Sequence, residues 1–555
     1  MLVIQGKGVS AGVAVGPLYF YRRAAQEIIR RIVGDTDAEW KRFEEASAVA
    51  AHQLGILAEK AREEAGDEAA LLFETHQMMA EDMDFVDAVQ GLIRDAALNA
   101  EAAVMDVSEQ FAEMFSSMDD EYMQARAADI RDVAGRIVGI LTGVVSGGID
   151  SDVPVILASD DLAPSETIQM DKSKILGFIT AGGSGSSHTA ILARTMGIPA
   201  IIGVGDALKD EFEGRKLYID GETGEIVIQA DQLTAERMLT KQAKQQETRR
   251  MLSNLKGLPN ETKDGQSIQI YCNIGSVEDV DAVIANDGGG IGLFRSEFLY
   301  LQGNTYPTEE EQFEAYRTVA SLMKGKRVII RTLDIGADKQ ADYFGLAKEE
   351  NPAMGLRAIR ICLSRPEIFK TQLRALYRAS AYGKVAILFP MITSEWEVRE
   401  CKRACLAVQQ ELKTEGIPFD PDTELGIMIE TPAAVMMSDV LAELVDFFSV
   451  GTNDLTQYML ACDRQCDRLG KFFDPHHPAV LRAIRTVAEN AHKAGKWIGI
   501  CGELAADPTL TEAFLAMGID ELSVTPGSVL PLRHAIRNMD DPKARKRALK
   551  DLLEG

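Results

Sequence analysis

The stretch VDFFSVGTNDLTQYML (445–460) decides how the second half of the chain is read. A run from Val445 to Val450, apolar except for Asp446 and Ser449, ends at Gly451, and Asn453 and Asp454 follow at once, ahead of a helical pattern. A short, largely apolar run suits a strand covered on both faces. Polar residues at its end suit a loop that does chemistry. Working outward, the same unit recurs. Strand-like runs stand at IQIYC (268–272), IGLF (291–294), RVIIRTL (327–333), VAILFPM (385–391), LGIMIE (425–430), WIGIC (497–501) and DELSV (520–524), with helical stretches between most of them. Eight such strands over roughly 260 residues predict a (β/α)8 TIM barrel. Polar or reactive groups end or follow several strands: Arg295 and Glu297, Arg331 and Asp334, Glu430, Asn453 and Asp454, Cys501 and Glu503. This fold gathers its active site at the C-terminal strand ends, so these groups are expected to share one mouth.

The chemistry of that mouth follows from its residue types. Glu430 and Asp454, on neighbouring strand ends, suit a hard divalent cation such as Mg²⁺, completed by water and substrate oxygens. The plainer alternative is a pair of surface carboxylates bridged to arginine. Arg295, Arg331 and Arg464 offer planar donors for phosphate and carboxylate oxygens. The set describes a receptor for a small, highly anionic, metal-chelated substrate. Cys501 ends its strand just before Gly502-Glu503, where a side chain faces the pocket. A thiol, with an ordinary pKa of ~8.5, is mostly protonated at neutral pH and can give a proton. Buried cysteine is equally a common core residue.

The first half reads differently. VAVGPLYFY (13–21) is strand-like; residues 24–142 are rich in Ala, Glu, Met and Leu, with an apolar stripe at Val86, Val89, Leu92 and Ile93. That is helical periodicity. Strand signals return at VPVILAS (153–159), KILGFIT (174–180), AIIGVG (200–205), KLYID (216–220) and EIVIQ (225–229). The expected organisation is an α/β domain from residues 1–23 and 143–230, an inserted helical subdomain at 24–142, a linker helix at 231–258, and the barrel at 259–555. In GGSGSSHTAILARTMG (182–197) a Gly/Ser loop runs into His188 at the start of a helix. Small residues let a donor approach the ring, and free N–H groups at a helix N-terminus suit a phosphoryl group. A histidine at a helix start is also a common capping residue.

The 555 residues carry 59 Lys+Arg against 85 Asp+Glu, a net charge of −26. With 46% apolar and 26% charged residues, disordered, collagen-like and disulfide-scaffold classes are excluded. The acidity disfavours nucleic acid and anionic membranes as partners. It fits either plain solubility or a basic protein partner. The N-terminus MLVIQGKGVSAGVAVGP lacks the pattern of a signal peptide. Residues 176–193 are too broken by Gly, Ser and His188 to span a membrane. All seven Cys lie in the second half, which fits a reducing cytoplasm rather than a disulfide framework. The Cys401/Cys405 and Cys462/Cys466 spacings read as packing rather than zinc, and His476-His477 as a turn.

The segments DLAPSETIQ (161–169), SSHTAILAR (186–194), GIPAIIGVG (197–205), GIGLFRSEFLYL (290–301), RTLDIGADK (331–339), NPAMGLRAIR (351–360), FPMI (389–392), GIMIETPAAV (426–435), SVGTNDLTQYMLACDR (449–464) and CGELAADP (501–508) run in one order through the chain. In these it resembles bacterial enzyme I of the sugar phosphotransferase system, the phosphoenolpyruvate–protein phosphotransferases. The resemblance implies a multidomain α/β fold: a swivelling phosphohistidine domain with an inserted helical subdomain, a linker, and a phosphoenolpyruvate-binding barrel. It implies that His188 becomes phosphohistidine, supported by Thr167. It implies that Arg295, Arg331, Asn453 and Arg464 bind phosphoenolpyruvate, with Lys339 and Arg357 touching it. Asp454 would serve both substrate and metal, sharing Mg²⁺ with Glu430, and Cys501 would protonate the enolate to give pyruvate. The implied recipient is the histidine-containing phosphocarrier protein, docked on the helical subdomain. A homodimer through the barrel and a cytoplasmic location are implied as well.

Two departures stand out. Gly185 occupies the place where the family carries Arg, and Gln465-Cys466 replaces Gly-Asn after Arg464. The first removes a positive charge near the phosphorylated ring and predicts slower transfer or a shorter-lived phosphohistidine. Phosphoenolpyruvate synthases and pyruvate phosphate dikinases would need an ATP-binding domain, and the helical N-terminal block has no Gly-rich nucleotide loop. A nitrogen-branch enzyme I would need an added sensory domain. A degenerate, non-transferring paralogue has only Gly185 in its favour.

Overall fold

The computed structural model describes residues 1–21, 28–65, 67–116, 121–143, 151–160, 162, 170–182, 188–301, 305–336, 342–347, 349–464 and 466–554, of which 61–65, 67–72, 121–125, 128, 188, 191, 194–195, 342 and 467 are described by backbone alone. The chain forms two compact units, Met1–Arg249 and Arg250–Gly555.

The first unit is built on an eight-stranded mixed sheet. Its strands are β1 (Leu2–Gln5), β2 (Lys7–Ser10), β3 (Val13–Phe20), β4 (Val155–Ser159), β5 (Ile175–Thr180), β6 (Ala200–Ile202), β7 (Lys216–Asp220) and β8 (Glu225–Ile228), in the order β1-β8-β7-β3-β4-β5-β6-β2. β3, β4, β5 and β6 run parallel, and the flanking pairs are antiparallel. A parallel pair needs a crossover. Between β3 and β4 that crossover is the helical block: α1 (Thr36–Ala65), α2 (Asp67–Ala80), α3 (Met83–Arg94), α4 (Ala100–Ser116) and α5 (Glu121–Thr142). The block has its own core, in which Phe43, Phe73, Phe85, Val89 and Ile93 are buried. The Val89/Ile93 stripe read from sequence is therefore the buried face of α3.

Helix α6 (His188–Met196) follows β5, and α7 (Gln232–Ser253) follows β8. The sequence of α7 shows no strong apolar face, and the structure gives the reason. One buried residue, Met238, anchors it against Val13, Tyr218 and Val227. Polar ties do the rest: Lys241 to Asp220 at 2.5 Å and the Val13 N–H to Gln245 Oε1 at 2.9 Å.

The second unit is the expected barrel. β9 (Gln269–Ile274), β10 (Ile291–Arg295), β11 (Val328–Arg331), β12 (Val385–Phe389), β13 (Glu424–Ile429), β14 (Phe447–Val450), β15 (Trp497–Ile500) and β16 (Glu521–Val524) pair in parallel, and β16 closes on β9. Alternate residues point in and out. Leu293, Ile329, Ala386, Leu388, Met428, Phe447 and Cys501 fill the lumen, while Ile330, Ile387, Phe448 and Ile500 pack under the helices. The floor is closed by Phe447 stacked on Trp497 at 4.4 Å, with the Arg327 guanidinium 4.7 Å above the indole. Among the described residues, no helix is long and apolar enough to cross a membrane.

Candidate active site

Parallel strands in register bring their C-terminal ends to one rim. Arg295 and Arg331 are cross-strand partners, so β10 and β11 bring two arginines to one rim. Arg331 is the buried one, and a buried cation needs neutralising, which acidic residues supply. Arg331 donates from Nη2 to Glu297 at 2.5 Å and from Nη1 to Asp334 at 2.9 Å. The second Asp334 oxygen accepts from Arg357 Nη2 at 2.8 Å. Arg357 Nη1 lies 3.7 Å from Asp454, and Asp454 lies 3.3 Å from Arg464 Nη1. Glu297, Arg331, Asp334 and Arg357 are all buried. Burial alone would lower both arginine pKa values, but the surrounding carboxylates, Asp334 first, hold them above the ordinary range. Arg295 is exposed, and among the described residues no carboxylate pairs with it.

Glu430 is buried beyond the end of β13 and accepts the Met391 N–H at 2.6 Å. Burial, then the nearby charges of Asp454 and Asp334, push its pKa up to about 8, against the pull of Arg331 and Arg357. Asp454 Oδ1 is buried without a hydrogen-bond donor among the described residues. Two carboxylates, one crowded by negative charge and one with an orphaned oxygen, fit a hard divalent cation bound by oxygen. Among the described residues no third His, Cys, Asp or Glu completes a metal cage. The remaining ligands would come from substrate and water, the usual arrangement for Mg²⁺.

Cys501 stands at the end of β15 with its Sγ 3.6 Å from the Val450 carbonyl. Burial pushes its thiol up to about 12, so it carries a proton at neutral pH. Asn453 and Glu503 clasp each other across the rim: Asn453 Nδ2 donates to Glu503 Oε1 at 3.2 Å, and the Glu503 N–H to Asn453 Oδ1 at 3.1 Å.

The structure thus brings Arg331, Arg357, Glu430, Asp454, Arg464, Asn453 and Cys501 to one end of the barrel, with Arg295 at the same rim. His188 is the first residue of α6, as its motif predicts, and its imidazole lies outside the described part. Thr167, Lys339, Gly185 and Gln465 lie outside the described residues. His476-His477 is a turn. His476 pairs with Asp507 at 2.6 Å, and His477 Nδ1 accepts the Ala479 N–H at the next helix. Cys401 and Cys405 are buried on one helix, whereas Cys462 follows a helix end and Cys466 is half-exposed in a loop.

Several contributors escaped sequence reasoning. Gln372 accepts the Leu333 N–H at 2.9 Å and donates to Ser296 Oγ at 2.9 Å, while Ser296 Oγ donates to the Arg331 carbonyl at 2.5 Å. This chain fixes the end of β11 from behind, and a glutamine in mid-helix gives no signal of it. Met391 and Ala358 hold φ of 56° and 53°, rare for residues with a Cβ. One presents its N–H to Glu430, and the other directly follows Arg357.

Comparison with known proteins agrees with this architecture. Residues 5–126 match the N-terminal family of PEP-utilising enzymes, 152–224 the PEP-utilising enzyme mobile domain, and 249–541 the PEP-binding domain. The chain is 40% identical over 537 residues to the phosphoenolpyruvate-protein phosphotransferase of Priestia megaterium, covering 97% of this chain and 94% of that one. It is 40% identical over 545 residues to that of Bacillus subtilis, covering 98% of this chain and 96% of the relative. With its barrel, helical block and mobile-domain match all in the same order, the chain belongs to the phosphoenolpyruvate–protein phosphotransferases, the enzyme I family of PEP-utilising enzymes.

Proposed function

We propose that this chain takes the phosphoryl group of phosphoenolpyruvate onto its own His188 and releases pyruvate. It then passes the group to the histidine-containing phosphocarrier protein, the first step of sugar uptake by a phosphotransferase system. The observation that carries the reading is the barrel mouth, where Asp334 bridges Arg331 and Arg357 beside Glu430, Asp454 and the protonated Cys501. Arg295, Arg331, Asn453 and Arg464 bind the substrate, and Lys339 and Arg357 touch it. The buried Nε–H groups of Arg331 and Arg357 have no acceptor among the described residues, and substrate oxygens would provide one. Glu430 and Asp454 would hold Mg²⁺, which when bound offsets charge building on phosphate and enolate oxygens. Cys501 gives its proton to the methylene carbon of the enolate. A C–H bond forms, the S–H bond breaks, and pyruvate leaves. His188 receives the phosphoryl group where helix N–H groups favour anions, with Thr167 in support.

In this reading residues 1–23 with 143–230 form the phosphohistidine domain, which swings about a linker at 231–258 to visit the barrel at 259–555. The helical subdomain at 24–142 docks the carrier. Support for that docking is an exposed apolar pair, Met78 and Met83, flanked by the exposed acids Glu81, Asp82 and Asp84. The protein works in the cytoplasm as a homodimer joined through the barrel. The deciding test is incubation with labelled phosphoenolpyruvate and Mg²⁺ without ATP. Acid-labile phosphate is expected on the wild type and absent from His188→Ala; absence from the wild type or persistence in the variant would overturn the assignment.

A further inference from the structure

Beyond their last ladder pair, Val450 and Ile500, β14 and β15 do not part. The Cys501 N–H donates to the Val450 carbonyl at 3.0 Å. Gly502 then packs directly on Thr452. A Cβ on it would stand 1.8 Å from the Thr452 hydroxyl oxygen and 2.8 Å from the Thr452 backbone nitrogen, so only glycine allows this approach. One step further, Asn453 and Glu503 exchange two hydrogen bonds, at 3.2 and 3.1 Å. The loops that carry Asp454 and Cys501 are thereby held against each other for three residues past the sheet.

The Asn453–Glu503 pair is a closed ring, and it fixes what an asparagine alone leaves open. An amide oxygen only accepts and an amide nitrogen only donates, so the two ends of the side chain are not interchangeable. The Glu503 N–H can be met only by Oδ1, and Glu503 Oε1 takes one hydrogen of Nδ2. The second Nδ2 hydrogen has no acceptor among the described residues. The amide is held in one of its two orientations, with one donor left over. Stability is a poor explanation for the ring, because Glu503 is exposed and Asn453 half-buried, and such hydrogen bonds contribute little net. Charge is a poor explanation too, since a carboxylate at the rim of a site for an anionic substrate opposes binding.

We propose that Glu503 is a positioning residue for phosphoenolpyruvate binding, orienting the Asn453 amide so that its free Nδ2 hydrogen meets a substrate oxygen. One hydrogen bond lets the amide swing about it, whereas two hold it. Without the second, substrate binding has to order the side chain itself, at an entropic loss. Gly502 belongs to the same arrangement, because its bare backbone lets the two loops come within reach. The proposal rests on the reading of Asn453 as a ligand of phosphoenolpyruvate.

Pyruvate release by the full chain with Mg²⁺ and the phosphocarrier, followed as phosphoenolpyruvate is varied, tests it. Glu503→Ala is expected to raise KM for phosphoenolpyruvate roughly fivefold or more, with kcat within about threefold and an unchanged thermal midpoint. Glu503→Gln keeps the acceptor and removes the charge, and is expected to bring KM back to the wild-type value or below it. In an Asn453→Ala background, Glu503→Ala is expected to change KM by less than about twofold. An unchanged KM in Glu503→Ala overturns the proposal. So does a KM no lower in Glu503→Gln than in Glu503→Ala, or an undiminished effect in the Asn453→Ala background. The reading beneath it fails in a different way, by a wild-type KM in Asn453→Ala itself.

Discussion

Asp334 does two jobs with one carboxylate, since Arg331 and Arg357 each take one of its oxygens inside the barrel mouth. Asp334→Asn leaves two buried cations short of a counter-charge, a loss on the order of 3 kcal/mol. Urea unfolding of the variant should show that loss, and kcat/KM for phosphoenolpyruvate should fall with it; unchanged stability would mean the arginines find other partners. Glu430 is the opposite case, a carboxylate whose pKa is pushed up to about 8 by burial and by its acidic neighbours. A bound divalent cation would relieve that crowding. Glu430→Gln should therefore weaken Mn²⁺ binding, followed by electron paramagnetic resonance without substrate, by roughly tenfold or more. Cys501 titrates in the other direction from a reactive thiol. Its neutral form persists up to about 12, so its alkylation by iodoacetamide should be slow at neutral pH and keep rising with pH beyond 10. A rate that levels off near pH 8 would contradict the burial argument.

At the scale of elements, what could be read from sequence is what repeats. All eight barrel strands fall within the apolar runs that predict them or within two residues of their ends, because burial on both faces leaves an unbroken signal. The residues that end those strands, Arg331, Glu430, Asp454 and Cys501 among them, could be named because the fold dictates where its mouth lies. What could not be read depends on contacts between elements distant in sequence. Gln372 reaches Ser296 across 76 positions. Glu521 looks like an exposed strand-start acid until the Gly499 register shows where it sits. The C-terminal helix, Pro542–Glu554, is held in a comparable way. Its buried Arg545 pairs through both Nη atoms with Asp264, at 2.9 and 2.5 Å. The guanidinium, first among the causes, lowers the Asp264 pKa to about 2. A pKa lowered on folding contributes stability above the unfolded value of ~3.8, and that contribution is lost as pH falls through about 2. Arg545→Met should abolish hydrogen-exchange protection across 542–554 at neutral pH while phosphorylation by phosphoenolpyruvate continues. The wild-type helix should lose protection only in strong acid.

At the scale of the whole molecule, a net charge of −26 coexists with a mouth that gathers several arginines. The two are compatible because Arg331 and Arg357 are buried among fixed partners and, in the proposed function, the mouth meets its substrate at contact distance, where the global field counts for little. In the proposed docking the excess acid would matter instead where a large partner approaches. On the helical block, Glu81 and Asp84 are exposed beside Met78 and Met83. Charge there would steer a basic partner and set the rate of encounter, whereas the methionines would supply contact area. These contributions separate in one experiment. Raising ionic strength from roughly 0.05 to 0.5 M shortens the screening length from more than 10 Å to under about 5 Å. The KM for the phosphocarrier should rise across that range in the wild type and much less in Glu81→Gln/Asp84→Asn, which starts from a higher value. Met78→Ala should raise KM by a factor that salt does not alter. Self-phosphorylation of His188 should respond to none of these changes. A carrier KM indifferent to salt in the wild type would return the acidity to solubility alone and leave the methionines as the docking determinant.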